Sequence, residues 1–294
     1  MSGWTKDDIL RLDAVYAKQG VHMHQRPFRA ATELLGSTFS MGVGGNPEVQ
    51  RIMAAYAELV PEVESTWPGA GIGLAVSVDQ VRKLTFAVVF GQQAVQPWRV
   101  TGFKSANEWW NWCRQDHNIA SEASFACADL HDLASGLDEL DGGSTDALTL
   151  WRMARSNLED VANTLPTTFS VDSVIQPICL VAELAMKAAL VWDGVDLKSF
   201  KGKDGHNLAK LVERMATARP HRDDPLAAQV IGKLPPYADS RYSPAGLIRL
   251  EVVRLALAVQ FVLASSVRRI ANADLALEME SGGWPAPRRP FFPV

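Results

Sequence analysis

From Ser105 to about Leu140, and again from Ser144 to about Asn272, apolar residues recur at the three-to-four spacing of a helix face, with little to interrupt it. That sustained periodicity constrains the chain more than any other feature, because a helix-period pattern cannot be accommodated as strands. It predicts a mainly α protein. Helices are expected at about 145–164, 171–193, 205–218, 224–233 and 244–272, with a first helix at 5–18. Asn46-Pro47-Glu48 opens a second helix by supplying a capping side chain, a fixed φ and an acid in the first turn.

One stretch breaks the rule. Ile72, Leu74, Val76 and Val78 alternate with polar or small residues, as do Leu84, Phe86, Val88 and Phe90, and Asp79 to Lys83 reads as the turn between them. Trp98, Val100 and Gly102 extend the series to a third strand. The fold class is therefore mainly α with a small antiparallel β-sheet in the N-terminal part, and that sheet must lay one face on helices to be stable. Asp141-Gly142-Gly143-Ser144 stops one helix and starts the next, which divides the chain into an α+β region 1–143, a helical bundle 144–272 and a tail 273–294. Prolines at 285, 287, 290 and 293 keep the tail from continuing a helix, and Trp284, Phe291 and Phe292 could dock it.

Composition narrows the function classes. The formal net charge is -4, made of -6 over residues 1–144, +3 over 145–270 and -1 beyond, so no basic stripe announces nucleic acid. Three cysteines in 294 residues suit a reducing, cytoplasmic compartment. The most apolar run, Leu255 to Val267, is shorter than the ~20 residues a membrane span needs. No membrane partner is expected.

Cys113 and His117, then Cys127 and His131, form two i, i+4 couples that could suggest zinc. On one straight helix, however, fourteen residues separate the couples by about 21 Å, so a single ion cannot reach both. They read as a buried stripe, and no metal is expected. His22 and His24 have no nearby acid to complete a ligand set. Gly42-Val43-Gly44-Gly45 precedes a helix start but lacks the spacing of a dinucleotide or P-loop motif. Trp109, Trp110 and Trp112 could stack bases, though such clusters more often build core. Glu183 and Lys187 are an i, i+4 pair on a helix whose other face is apolar, which places Lys187 in solvent. Gly205 stops the chain before His206, and Ser243-Pro244 caps the long last helix just after Arg241 and Tyr242, where an anion could sit.

The segments ICLVAELAMKAALVWDGVD (178–196), GKDGHNLAKLVERM (202–215) and DSRYSPAGLIRLEVVRLALAVQFVLASSVRR (239–269) resemble a HEPN domain, the all-helical fold associated with nucleotidyltransferases and RNase toxins. The resemblance covers about the C-terminal 90 to 125 residues. It implies a HEPN-like bundle that pairs as a homodimer and needs neither metal nor cofactor. It also implies a nucleotide or RNA phosphate as ligand, bound near Lys187, His206, Arg241 and Tyr242, and a place in a stress or phage-defence system. Catalytic members carry an Arg, four to six residues and a His, which assist attack of an RNA 2′-hydroxyl on the neighbouring phosphate. Here only Arg214 and His221 fit that motif, and Pro220 interrupts the helix between them. An alternative is thus a metal-independent endoribonuclease using Arg214 and His221. Another is a non-catalytic interaction module whose N-terminal region or tail recruits a partner protein.

Overall fold

The computed structural model describes residues 3–21, 23–40, 46–61, 71–77, 80–86, 96–116, 118–236, 245–282 and 287–292. The chain divides into two compact units, Met1–Pro68 and Gly69–Val294. The first holds α1 (Lys6–Lys18), α2 (Arg26–Leu35) and α3 (Pro47–Leu59). Thr5 and Asp8 close a reciprocal cap on α1, and Asn46 accepts the Glu48 N–H ahead of Pro47 on α3, as the sequence predicts. Helix α2, which the periodicity did not single out, completes the unit. Its core is Ile9, Leu12, Tyr16, Ala30, Ile52 and Tyr56, all buried.

The second unit begins with a hairpin, β1 (Gly71–Ser77) and β2 (Gln80–Phe86), paired antiparallel with Leu74 opposite Lys83 and Ser77 opposite Gln80. The strand therefore runs through 80–83, which the sequence reading gave to the turn. Val88 and Phe90 lie outside the described residues. The expected third strand is instead a single helical turn, α4 (Pro97–Val100). Pro97 takes the first helical position with its φ already set, and Gly102, at φ +70°, ends the turn where another residue would be strained.

Helices α5 (Ala106–Cys113), α6 (Asn118–Glu139), α7 (Thr145–Thr164), α8 (Asp172–Trp192), α9 (Leu208–Ala218), α10 (Asp224–Ile231), α11 (Arg249–Arg268) and α12 (Leu275–Ser281) follow. The helix expected from Ser105 to Leu140 is broken after Cys113. The glycines at 142 and 143 form the turn between α6 and α7, but they do not divide the core: α6, α7, α8 and α11 bury one continuous set of apolar side chains. The last long helix starts at Arg249, with Glu251 accepting the Ile248 N–H; Ser243 and Pro244 are outside the described residues.

Helices α8 and α11 are long and apolar enough to cross a membrane, yet 83% of each apolar window is buried inside the protein. Their apolar surface is consumed by the core. Within that core Trp151 donates to Ser266 Oγ at 2.9 Å. Gln260, in the middle of α11, closes the free edge of β1: its Oε1 accepts the Leu74 N–H at 2.8 Å and its Nε2 donates to the Leu74 carbonyl at 3.3 Å. Only glycine at position 73 lets the helix side chain approach so closely, since a Cβ there would overlap the Gln260 amide and Leu130.

The C-terminal end of α11 sits in a buried ion network. Arg268, whose side chain is 0% exposed, reaches Asp129 at 2.7 Å, Asp132 at 2.9 Å and Asp223 at 3.1 Å. Arg288 of the tail adds a two-point pair to Asp129 between the rings of Phe125 and Phe261, and Phe291 packs on Phe261. Residues 288–292 are thus docked, and Phe291 and Phe292 both pack on the core as the sequence suggested. Trp284 lies outside the described residues.

Candidate functional site

The residues expected to hold a ligand are placed as follows. Glu183 on α8 reaches Lys187 one turn later at 2.7 Å and His206 Nδ1 at 3.0 Å. Lys187 is not in solvent. It is 7% exposed, because the segment after α8 folds back and lays Phe200 over its ammonium, 5.5 Å from the ring centroid. His206 stands just before Asn207, which caps α9, and its side chain is 53% exposed. Gly205 is required there: a Cβ would overlap the Phe200 carbonyl. The glutamate, the lysine and the histidine therefore fasten the Gly205-His206-Asn207 turn to α8. Arg241 and Tyr242, expected to complete this site, lie outside the described residues.

Arg214 and His221 occupy different surroundings. Arg214 is exposed on α9 with its guanidinium 5.3 Å from the Phe200 ring centroid. His221 lies in the turn before α10. Its Nδ1 accepts the Asp223 N–H at 3.2 Å, and burial holds its imidazole below the usual histidine range.

Other sequence candidates resolve simply. Cys113, Cys127 and Cys179 are buried free thiols, and burial pushes the Cys127 and Cys179 thiols up to about 12. His131 turns to Asp132, His117 and His22 are outside the described residues, and no metal-ligand cluster occurs among the described residues. Gly42, Gly44 and Gly45 are likewise outside them. Trp109 and Trp112 are core, packed on Phe103, whereas Trp110 is exposed.

The feature best suited to a ligand was not anticipated. An open cleft of about 660 Å³ is lined by Arg82 and Lys83 of β2, Arg99 of α4 and Arg249 at the start of α11, with Thr85 and Thr101 as neutral polar groups. Among the described residues no acid lines it. Each arginine is oriented by a local contact. Arg82 lies 3.8 Å from the Phe103 ring centroid and donates to the Gly102 carbonyl at 3.3 Å. Arg99 lies 5.0 Å from the Trp98 centroid, and Arg249 donates to the Leu165 carbonyl at 3.1 Å. Among the described residues none of these three arginines pairs with a carboxylate.

Guanidinium groups stay charged at any accessible pH and grip phosphate oxygens at two points. The described lining residues therefore give the cleft the chemistry to hold an anion. A second enclosed space of about 420 Å³, between α6, α11 and the tail, also has arginines, but there Asp116, Glu122 and Asp129 balance them.

Sequence reasoning missed the cleft because its cations sit far apart in the chain, at 82, 83, 99 and 249, in segments assigned to a turn, a strand and the interior of a helix. The regional charge pointed the other way, since three of the four belong to the net acidic first half. Comparison of the chain with protein-family models, with curated proteins and with solved structures gives no match, so the functional argument rests on the site's own geometry.

Proposed function

We propose that this chain binds a phosphate-bearing ligand, a nucleotide or an RNA phosphate, in the cleft of Arg82, Lys83, Arg99 and Arg249. The observation that carries the reading is a convergence of three arginines, Arg82, Arg99 and Arg249, around one open space, none of them paired with a carboxylate among the described residues. Holding like charges together costs free energy in the unliganded protein, and an anion in the cleft recovers it. The ligand class agrees with what the HEPN resemblance implies, while the location moves from the Lys187–His206 region, where the ammonium is already committed to Glu183, to the hairpin side of the bundle.

The test is calorimetric titration with tripolyphosphate, ATP and a short single-stranded RNA over a range of salt. Binding should weaken steeply as salt rises, because each phosphate contact releases condensed counterions. The double substitution Arg99→Glu and Arg249→Glu should weaken it at least tenfold, and Lys187→Ala should leave any change attributable to stability alone. Absence of binding to all three probes at millimolar concentration removes the proposal, as does binding indifferent to the double substitution.

A further inference from the structure

Helix α6 carries a serine, a histidine and an aspartate that meet side chain to side chain. His131 Nδ1 lies 3.1 Å from Asp132 Oδ1, and Ser135 Oγ lies 3.4 Å from His131 Nε2. The Asp132 carboxylate, paired with Arg268 at 2.9 Å, accepts hydrogen bonds, so the proton of the neutral ring belongs on Nδ1. Nε2 then keeps its lone pair and faces the Ser135 hydroxyl.

That contact is not the default for a hydroxyl on a helix. Ser124, Thr149 and Thr217 each donate to the carbonyl four residues back, at 2.7 to 2.8 Å. The Ser135 hydroxyl turns to the imidazole. The aspartate is fixed from elsewhere in the chain: its side chain is 0% exposed, and besides Arg268 it holds the N–H groups of Leu275 and Ala276 at 2.7 and 3.3 Å. A carboxylate so anchored keeps the imidazole in one tautomer and one orientation, which is the part an aspartate plays in a serine hydrolase. The His131 side chain is 40% exposed and Ser135 is half-buried, so a reagent can reach both.

We infer that Ser135 is a nucleophile activated by His131, that Asp132 positions the imidazole, and that the substrate class is a carboxylic ester of an acidic alcohol or phenol, whose leaving group departs readily. Ser135 Oγ bonds to the ester carbonyl carbon as its proton passes to His131 Nε2. The bond from that carbon to the alcohol oxygen breaks, and Nε2 returns the proton to the departing oxygen, leaving acyl-Ser135 and a neutral imidazole. Water attacks the acyl carbon through the same proton transfers, which releases the acid and restores the hydroxyl. The 3.4 Å approach of Oγ to Nε2 is a loose contact of the kind that tightens once substrate is bound. None of the residues lining the arginine cleft takes part, so this activity stands or falls separately from anion binding there.

The experiment treats the full-length protein with a fluorophosphonate probe, from which an activated serine displaces fluoride, and in parallel with p-nitrophenyl acetate. The unaltered chain is compared with Ser135→Ala and His131→Gln, both at partly exposed positions, and circular dichroism checks that each variant is folded. Peptide mass spectrometry should locate the adduct on Ser135, and His131→Gln should slow its formation by at least about tenfold. Ester hydrolysis should exceed the buffer rate and lose most of that excess in Ser135→Ala. Ring-nitrogen NMR shifts, assigned to His131 by their loss in His131→Gln, should show the Nδ1–H tautomer, which reports the aspartate's positioning and not the stability of the fold. The inference is overturned by the absence of an adduct on Ser135, by labelling at an unchanged rate in His131→Gln, or by an Nε2–H tautomer. Hydrolysis no faster than buffer, or an excess that survives Ser135→Ala, overturns it as well.

Discussion

Individual side chains in this protein follow their surroundings more than their sequence neighbours. Lys187 illustrates this. Its i, i+4 partner Glu183 was legible in the sequence and is present, but the pair is buried, because what covers it is a segment whose path no local pattern encodes. Arg268 is a sharper case. It reads as one more basic residue at a helix C-terminus, where the dipole favours it. In the fold it is fully buried and carries Asp129, Asp132 and Asp223 on its guanidinium. Arg268→Ala would leave those carboxylates in a water-poor interior with too little positive charge, at a cost of about 3–5 kcal/mol. Urea unfolding checks this, with Arg214→Ala as the contrast. Arg214 is exposed, with its guanidinium near the Phe200 ring, so its loss should cost no more than about 1 kcal/mol. A cost below 1 kcal/mol for Arg268→Ala would show that the network does not hold the helix ends together.

At the scale of elements, a helix is legible in the sequence where caps and periodicity agree. The sequence gives 145–164 and the structure gives Thr145–Thr164, with Ser144 accepting the Ala147 N–H. Elements were missed where a short segment depends on tertiary contacts. Helix α12 begins at Leu275 because Asp132, on α6, accepts the N–H groups of Leu275 and Ala276, a cap supplied from far away in the chain. Trp98 and Val100 alternate with polar residues and so predict a strand where the structure has the turn at Pro97, because a two-residue alternation cannot distinguish a strand from one helical turn. The Phe200–Asn207 connection carries an element-scale prediction. Gly205→Ala forces a Cβ into the Phe200 carbonyl, which would push Phe200 off Lys187 and His206 off Glu183. The variant should unfold at least 2 kcal/mol more easily, in the range of the strained-backbone and core-disruption mechanisms. Circular dichroism melts read it, and an unchanged melting temperature would show that the turn tolerates a different path.

For the molecule as a whole, the ion network at the end of α11 links α6, the turn before α10, α12 and the tail, and it sets the response to acid. Burial holds the His221 imidazole below the usual histidine value, with Arg269 and Arg222 adding to the effect. Burial alone would raise Asp223, but Arg268, His221 and Arg222 outweigh it and hold the carboxyl below the usual range; Asp274 is lowered in the same way by Arg222. All three groups bind fewer protons folded than unfolded, so stability falls as pH falls. The melting temperature should be level above about pH 7, decline as pH passes below about 6.5 where an unfolded histidine titrates, and drop again below about 4 as the aspartates protonate. His221→Asn should remove the first decline and keep the second; a melting temperature that rises between pH 7 and 5 would contradict the assignment. The sequence conveyed the helical class and the presence of a small sheet, but not which distant cations converge, because convergence is a property of packing. The same dependence on distance governs synthesis. Leu74 emerges early from the ribosome, and the amide that completes its hydrogen bonds, Gln260, follows 186 residues later. Until then one margin of the hairpin is an open template for any passing strand. A nascent chain halted short of α11 would therefore carry its greatest liability for misassociation near its beginning, and release of the final helix would be the event that retires it.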